Sequence, residues 1–559
     1  MPLTQFMIWG SDTGEYYYLT THLEEENKMV EDYNGWGLGY PSFPGMFYLN
    51  VEVSELTGLD PFYTLLILTP TLSAFSVIFV FMLTRRFGGS EGAGLVAAAI
   101  VAVAMPVVYA TSHAMPGTLG DLLALVCILA FLQSYRNQMY FPLLALCTLA
   151  LLITHHLSTF IFLIAIITMV IFREILKRPN ITFERLKIDL IYIFILLNLI
   201  LVYWLLYAVP FRERVIMRSF GTAGLMYVIA MIYVGFAVFV TLMFMLRKYS
   251  TYTYQPTEHS TRRHMIYFII AVSICLLAIL IASMGLLPTL DITPDPLVFI
   301  YLLPLAVLFS LGILGPNESL RFTNGIYMLA WISSIGIALL LTMILGSHSI
   351  IIYRYAQYAM EPWAISIGLG TMMIIGTYCS GVRSDGDRKT NHSASRFFAV
   401  VFIIAILILG TAATAYPPRS VMSGFQEGIT DSEMDGVLWC RSNIEAGSTV
   451  ATDHRLSSML FGFAGLNASW DYVEKTFYEE DFEDVRDELN RVSLPSGRKQ
   501  IDYVMLSDEL REGVALVQWK QAEPMSEEAA AKFQDNPFYV VYDSGDVQIY
   551  QIDWKYDID

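Results

Sequence analysis

Cysteine and charge are both scarce in this sequence. Its 559 residues include five Cys. Cys127, Cys147, Cys275 and Cys379 lie in apolar runs and Cys440 stands alone, so neither a disulfide framework nor zinc-ligand spacing is present. Charged residues make up 15% of the chain, against about 25% in ordinary soluble proteins. Basic charge is in deficit: 34 Lys and Arg face 51 Asp and Glu, a net of −17. That excludes a nucleic-acid binder, which needs a basic face. What is abundant is apolar: 55% of residues are hydrophobic and the mean hydropathy is +0.52. A disordered or collagen-like chain is therefore excluded too.

The charge is unevenly placed. Residues 417–559 hold 28 acidic and 12 basic residues, a net of −16, and the other 416 residues are nearly neutral. The acidic tail has no run of some 18 apolar residues, the length a spanning helix needs. It reads as a soluble domain with its own core. Residues 62–416 read as a helical membrane domain. Twelve apolar runs are expected to span, at 62–83, 92–112, 118–135, 139–154, 157–172, 188–210, 222–246, 265–288, 296–315, 323–345, 359–380 and 397–416. The fourth and fifth meet at Thr154-His155-His156 as a broken hairpin.

Loop charges set the orientation. One set of alternate loops carries 17 Lys and Arg, from Arg85 and Arg86 to Arg396, and the opposite set carries only Arg212, Arg214, Arg218 and Arg354. The positive-inside rule places the first set in the cytoplasm. The segment 1–61 and the acidic tail then face outside, as an even span count requires. Met1–Gly10 is apolar but too short to cross. The favoured reading is that the chain starts late and lacks a first helix. The other is a second segment that inserts with its N-terminus translocated.

Function is sought among the external polar residues. The first loop carries Asp12 and Glu15 among Gly, Ser and Tyr, and continues to Tyr40-Pro41-Ser42. A carboxylate can take a proton from an acceptor hydroxyl, and aromatic faces pack on sugar C–H surfaces; the bland alternative is an Asx turn. The second external loop holds His113, and Asp121 opens the next span, as a functional intramembrane acid or a helix-start acid. His155 and His156 sit at the hairpin break, where they can also satisfy freed backbone groups. Arg212, Arg214 and Arg218 are suited to a lipid-linked phosphate, or pair with Glu213 and headgroups. Arg354, between Tyr353 and Tyr355 and followed by Gln357, is a phosphate ligand or a snorkelling side chain.

Taken together, these features resemble the GT-C integral-membrane glycosyltransferases. The resemblance rests on the early Asp12, the Pro116-containing second external loop and Arg354-Tyr355 before the Pro362-bearing helix. In the tail it rests on Asp435–Arg455, read as helix, turn and strand, and on a β-hairpin across Phe538–Tyr550. It implies a polytopic helical fold of about twelve spans with an external α/β domain. It also implies a sugar donor carried on polyprenyl phosphate or diphosphate in the bilayer, and a glycan, lipid or protein acceptor. By this resemblance Asp12 inherits the role of base or acceptor-orienting carboxylate. Glu15 stands beside it as the second candidate.

Arg354 with Arg212, Arg214 and Arg218 would hold the donor phosphate. Tyr40, His113, Asp121, His155, His156, Tyr353 and Gln357 would line the pocket. A more distant likeness is to the oligosaccharyltransferase catalytic subunit: Trp470-Asp471-Tyr472-Val473 matches three letters of its Trp-Trp-Asp-Tyr-Gly motif and lacks the Gly. No second-loop Asp-X-Glu motif is present. A divalent cation, Mg or Mn, is compatible with the family, but no residue is assigned to it. Asn467-Ala468-Ser469 is an external glycosylation sequon. A transporter would need charged span centres and internal repeats, and the spans are mostly clean.

Overall fold

Long apolar runs become helices in a bilayer because a helix satisfies its own backbone N–H and C=O groups. The computed structural model describes residues 6–176, 182–249, 266, 269–270, 272–274, 277, 296–322, 324–344, 352–380, 390–415, 427–470, 472–515 and 524–555. The helical part contains α1 (Thr13–Glu26), α2 (Gly45–Thr57), α3 (Pro61–Ala74), α4 (Ser76–Arg86), α5 (Glu91–Val103), α6 (Met105–Thr111), α7 (Pro116–Ser134) and α8 (Tyr140–Thr154). They continue with α9 (His156–Ile175), α10 (Phe183–Val202), α11 (Arg218–Tyr249), α12 (Pro296–Leu311), α13 (Gly325–Ile344), α14 (Ile352–Ser380) and α15 (Thr390–Thr414).

Among the described residues seven helices are long and apolar enough to cross a membrane, at Pro61–Arg86, Pro116–Ser134, His156–Ile175, Phe183–Tyr207, Gly224–Lys248, Gly325–Met343 and Arg354–Gly376. Each coincides with an expected span. The run at 92–112 is a bent pair: α5 and α6 meet at 62°. Ala104 between them is extended, and Pro106 in the first turn of α6 has no amide to continue the α5 ladder. The runs at 139–154 and 397–416 contain shorter apolar helices. The run at 296–315 contains α12, of 16 residues, and that at 265–288 lies largely outside the described residues. The hairpin break is present: His155, with φ −156° and ψ 124°, separates α8 from α9.

Burial singles out the centre of the bundle. α7 has 78% of its span buried, whereas Gly224–Lys248 in α11 has 6%. α7 and α9 approach closely because Gly120 carries no Cβ. One placed there would stand 2.7 Å from both His155 Cβ and Ser158 Oγ. Small residues at such crossings let backbones meet.

The C-terminal region opens with α16 (Asp431–Asn443). Thr430 Oγ1 accepts from the Glu433 amide, and the Glu433 carboxylate accepts from the Thr430 amide, a reciprocal cap that starts a helix in a polar sequence. The chain turns at Gly447, whose φ of +92° suits glycine, and enters the first strand of the sheet. The strands are β1 (Ile8–Trp9), β2 (Gly428–Ile429), β3 (Thr449–Ala451), β4 (Asn467–Ala468), β5 (Val492–Leu494), β6 (Gly497–Lys499), β7 (Tyr503–Ser507), β8 (Phe538–Asp543) and β9 (Val547–Ile552). Five form one sheet in the order β4-β3-β7-β9-β8. The β8–β9 hairpin and the helix–turn–strand opening both follow the sequence pattern. Asp453 caps α17 (His454–Met459) by accepting from the Arg455 and Leu456 amides.

The first loop is fastened to this region at three points. β1 pairs antiparallel with β2, Ile8 opposite Ile429. The amide of Glu15, one of the orphan donors at the start of α1, donates to Ser458 Oγ at 3.2 Å. α1 also lies directly on the turn after α17: a Cβ on Gly462 would come 2.0 Å from the Gly14 carbonyl oxygen.

Candidate active site

Asp12 occupies the N-cap position of α1 but makes no side-chain cap bond, although capping is what Asp ordinarily does there. Its carboxylate turns the other way. Oδ2 accepts from the hydroxyls of Tyr40 at 2.8 Å and Tyr16 at 3.3 Å. Oδ1 lies 3.2 Å from His454 Nε2, a residue of the C-terminal region. Burial opposes the charge, but His454, Tyr40 and Arg354 outweigh it and hold the carboxyl at about 2. Asp12 is therefore ionised at neutral pH, in a crevice where it keeps 19% exposure.

Glu15, one turn on, is fully buried and faces the interior. Tyr33 donates to Oε1 at 2.5 Å, and the Gly37 amide donates to the same oxygen at 3.1 Å. Burial first, then the nearby Asp12 charge, pushes its carboxyl up to about 7. Both bonds anchor the Tyr33–Tyr40 loop, which delivers the Tyr40 hydroxyl to Asp12. Glu15 thus supports the site from behind.

Arg354 stands in the first turn of α14. Its charge acts on Asp12 and His113. His113 is buried, and burial pulls its imidazole below the ordinary value. Its Nε2 is 3.8 Å from Glu427 Oε2, and Glu427 also accepts from the Tyr109 hydroxyl and the Ser11 amide. His155 caps α9: Nδ1 accepts from the Ser158 amide at 3.3 Å and meets Ser158 Oγ at 2.8 Å. Ser158 Oγ in turn lies 2.7 Å from the Tyr358 hydroxyl. One turn deeper, Gln357 Nε2 donates to Asp121 Oδ2 at 2.9 Å. Asp121 is also hydrogen-bonded to the buried Glu361. His156 packs between Phe43 and Phe211.

The structure thus joins Asp12 to Tyr40 and places His113 against Gly10 at the start of the same loop, with the Arg354 charge acting on both Asp12 and His113. Asp121 and Gln357 pair beneath. The Arg cluster is different. Arg212 donates to the Leu205 carbonyl at 2.8 Å and pairs with Glu213 at 3.1 Å, and Arg214 is exposed. The side chains of Arg218 and Tyr353 lie outside the described residues. In the sequon, Asn467 Nδ2 donates to the Gly447 carbonyl and Ser469 is fully buried.

Two further residues reach the site, His454 and Glu427, neither of them among the candidates from the sequence. His454 is wedged against Trp36, ring centroids 5.3 Å apart, and Trp470, 5.8 Å apart. As for a metal, no group of three or more His, Cys, Asp or Glu among the described residues is arranged to hold one. The Asp12 oxygens take tyrosine and histidine partners, and His113 faces Glu427. This donor set does not fit a divalent ion, and no step is drawn through one.

No family model matches the sequence, and no curated protein matches it in sequence. Solved structures of the oligosaccharyltransferase from Archaeoglobus fulgidus are similar in three dimensions. Its apo form superposes with a TM-score of 0.60 at 13% identity, covering 99% of this chain and 72% of that one. The form tethered to an acceptor peptide containing the NVT sequon gives 0.59 at 12% identity, covering 99% and 71%. A complex with an inhibitory peptide and a dolichol-phosphate gives 0.55 at 13% identity, again covering 99% and 71%. At these identities the likeness is one of fold: the chain shares with that protein a helical bundle followed by an α/β C-terminal region.

Proposed function

We propose that the chain is a membrane glycosyltransferase that moves a sugar from a polyprenyl-phosphate-linked donor to an acceptor at the outer face of the membrane. The observation that carries this reading is an ionised, part-exposed Asp12 held by Tyr40, Tyr16 and His454, on which the Arg354 charge also acts. A lipid phosphate rising from the bilayer would meet the Arg354 guanidinium, and its sugar would lie toward Asp12. The A. fulgidus protein of the same fold has been seen with a dolichol-phosphate, which supports a lipid-phosphate ligand here.

The acceptor hydroxyl or amide would take over one of the Asp12 hydrogen bonds. As its oxygen or nitrogen attacks the anomeric carbon, the bond from that carbon to the phosphate oxygen breaks. The electron pair leaves with the phosphate and the acceptor proton passes to Asp12. A carboxylate held near 2 is a weak base, so proton transfer comes late, after the attacking atom has become acidic. Arg354 stabilises the charge growing on the leaving phosphate, in a water-poor setting where such stabilisation is the largest contribution. His113 and Tyr40 shape the space between.

The test is release of free polyprenyl phosphate from a labelled lipid-phosphate sugar by the purified protein. Asp12→Asn should slow release by about 10²- to 10⁴-fold while the protein stays folded. Equal release by the variant would remove Asp12 from the reaction.

A second reading is favoured by one observation. Trp470 of the partial Trp-Asp-Tyr motif sits beside His454 and Trp36, at the edge of the Asp12 crevice. In that reading the acceptor is a peptide, as in the oligosaccharyltransferase structure carrying an acceptor peptide. Transfer to peptide rather than to a lipid or glycan acceptor would establish it.

A further inference from the structure

We propose that His454 is a positioning residue for Asp12, so that the site is complete only when the C-terminal region delivers this imidazole. The proposal rests on the reading of Asp12 as the reacting carboxylate. Oδ2 of Asp12 is served from within the first loop by Tyr40 and Tyr16, whereas Oδ1 is met from the other side of the molecule by His454 Nε2 at 3.2 Å. A carboxylate bonded on both oxygens from opposite sides cannot rotate about its Cβ–Cγ bond. Its plane, and with it the direction in which it receives an acceptor, is then fixed.

His454 is itself held firmly. It opens α17 directly after the capping Asp453, whose Oδ2 also pairs with Arg455 at 3.1 Å. Arg455 is buried and makes a further pair with Glu433 at 2.9 Å. Trp36 lies edge-on to the imidazole and Trp470 lies tilted against it. The register of the whole element against Asp12 is set by the Gly14–Gly462 contact, the bond from the Glu15 amide to Ser458 and the β1–β2 pair. Among the described residues the charged groups that act on the same spot are Asp12, Glu15 and, through Asp12, Arg354.

Two substitutions separate hydrogen bonding from packing. His454→Gln keeps an N–H at the distance of Nε2, and His454→Phe keeps the ring between the tryptophans without a donor. The full-length protein in nanodiscs should retain donor cleavage within about threefold as His454→Gln. As His454→Phe it should lose about 10²-fold in kcat, the scale of a misplaced reacting group, with KM for the lipid donor unchanged. The acid limb of the pH–rate profile of His454→Phe should move to higher pH, because Asp12 has lost a partner that favours its ionised form. Full activity in His454→Phe, or equal loss in both variants with equal loss of thermal stability, would overturn the proposal.

A readout free of catalysis keeps it separate from the functional reading. In protein labelled with ¹⁵N-histidine, the His454 ring signals, assigned by their loss in His454→Gln, should titrate at lower pH after Asp12→Asn. An unchanged titration would overturn the pairing even if the enzyme is active. A downward shift in a protein that releases no lipid phosphate would keep the pairing and refute the glycosyltransferase.

Discussion

Asp12 and Glu15 sit one turn apart and have opposite electrostatic fates. Asp12 reaches donors on both oxygens and stays ionised; Glu15 is sealed behind it and is pushed up to about 7. The sign of the consequence follows from linkage. The unfolded chain ionises Glu15 near its ordinary value of 4.5, while the folded chain keeps the proton until about 7. Between those values the unfolded state binds fewer protons, so stability falls as pH rises and levels off above 7. The full difference is about 3 kcal/mol, taking ~1.4 kcal/mol per pH unit. Glu15→Gln can keep the Tyr33 and Gly37 bonds through its Oε1 and has no proton to lose. Its unfolding midpoint should therefore be flatter between pH 5 and 8 than that of the unaltered protein. Parallel curves would mean that Glu15 is not the group responsible.

Asp12, Tyr40 and Arg354 could be picked out as candidates in the sequence because each is a polar residue in a loop or at the end of an apolar run, where few exist. His454 could not: it lies 442 residues from Asp12, in a tail whose many charges give no reason to choose one histidine. The Arg212–Arg218 cluster was left open between two readings. Three cations at a span end suit a phosphate equally well as they suit a helix carbonyl and a neighbouring glutamate, and Arg212 takes the latter pair.

At the scale of elements, seven of the twelve expected runs coincide with helices long and apolar enough to span among the described residues, because length and apolarity are what a bilayer demands. Hydropathy could not show the 62° bend at Ala104, which depends on one proline. Nor could it show where the buried charges would pair. Arg173, counted with the cytoplasmic cations, lies buried in the last turn of α9 beside Glu174 and Asp189. Arg185 reaches Asp189 as well, at 2.9 Å, and Arg247 approaches Glu174 at 3.6 Å. This network ties α9, α10 and α11 together at the end of the bundle away from Asp12. Asp189→Ala would leave Arg173 buried without its partner and should cost about 3–5 kcal/mol, seen as a lower unfolding temperature. A loss below about 1 kcal/mol would show the network to be exchangeable with water. At the other end, Gly462→Ala inserts a methyl group against the Gly14 carbonyl. The α1–α17 contact should loosen, and lipid phosphate release should fall together with that of His454→Phe.

For the whole molecule, the net charge of −17 belongs almost entirely to the C-terminal region, and the bundle is close to neutral. The acidity accompanies a surface that keeps a domain soluble. The proposed chemistry falls at the seam where the first loop meets that region, at the Asp12–His454 contact. The account stands on a lipid phosphate binding at that seam. The most direct measurement is a structure of the full-length protein in nanodiscs with polyprenyl phosphate. The account predicts phosphate density against the Arg354 guanidinium, on the side facing Asp12 and His113, with the polyprenyl chain descending along the bundle. Phosphate density elsewhere, such as beside Arg247 and Lys248 at the opposite end, with the Arg354 space empty, would contradict it.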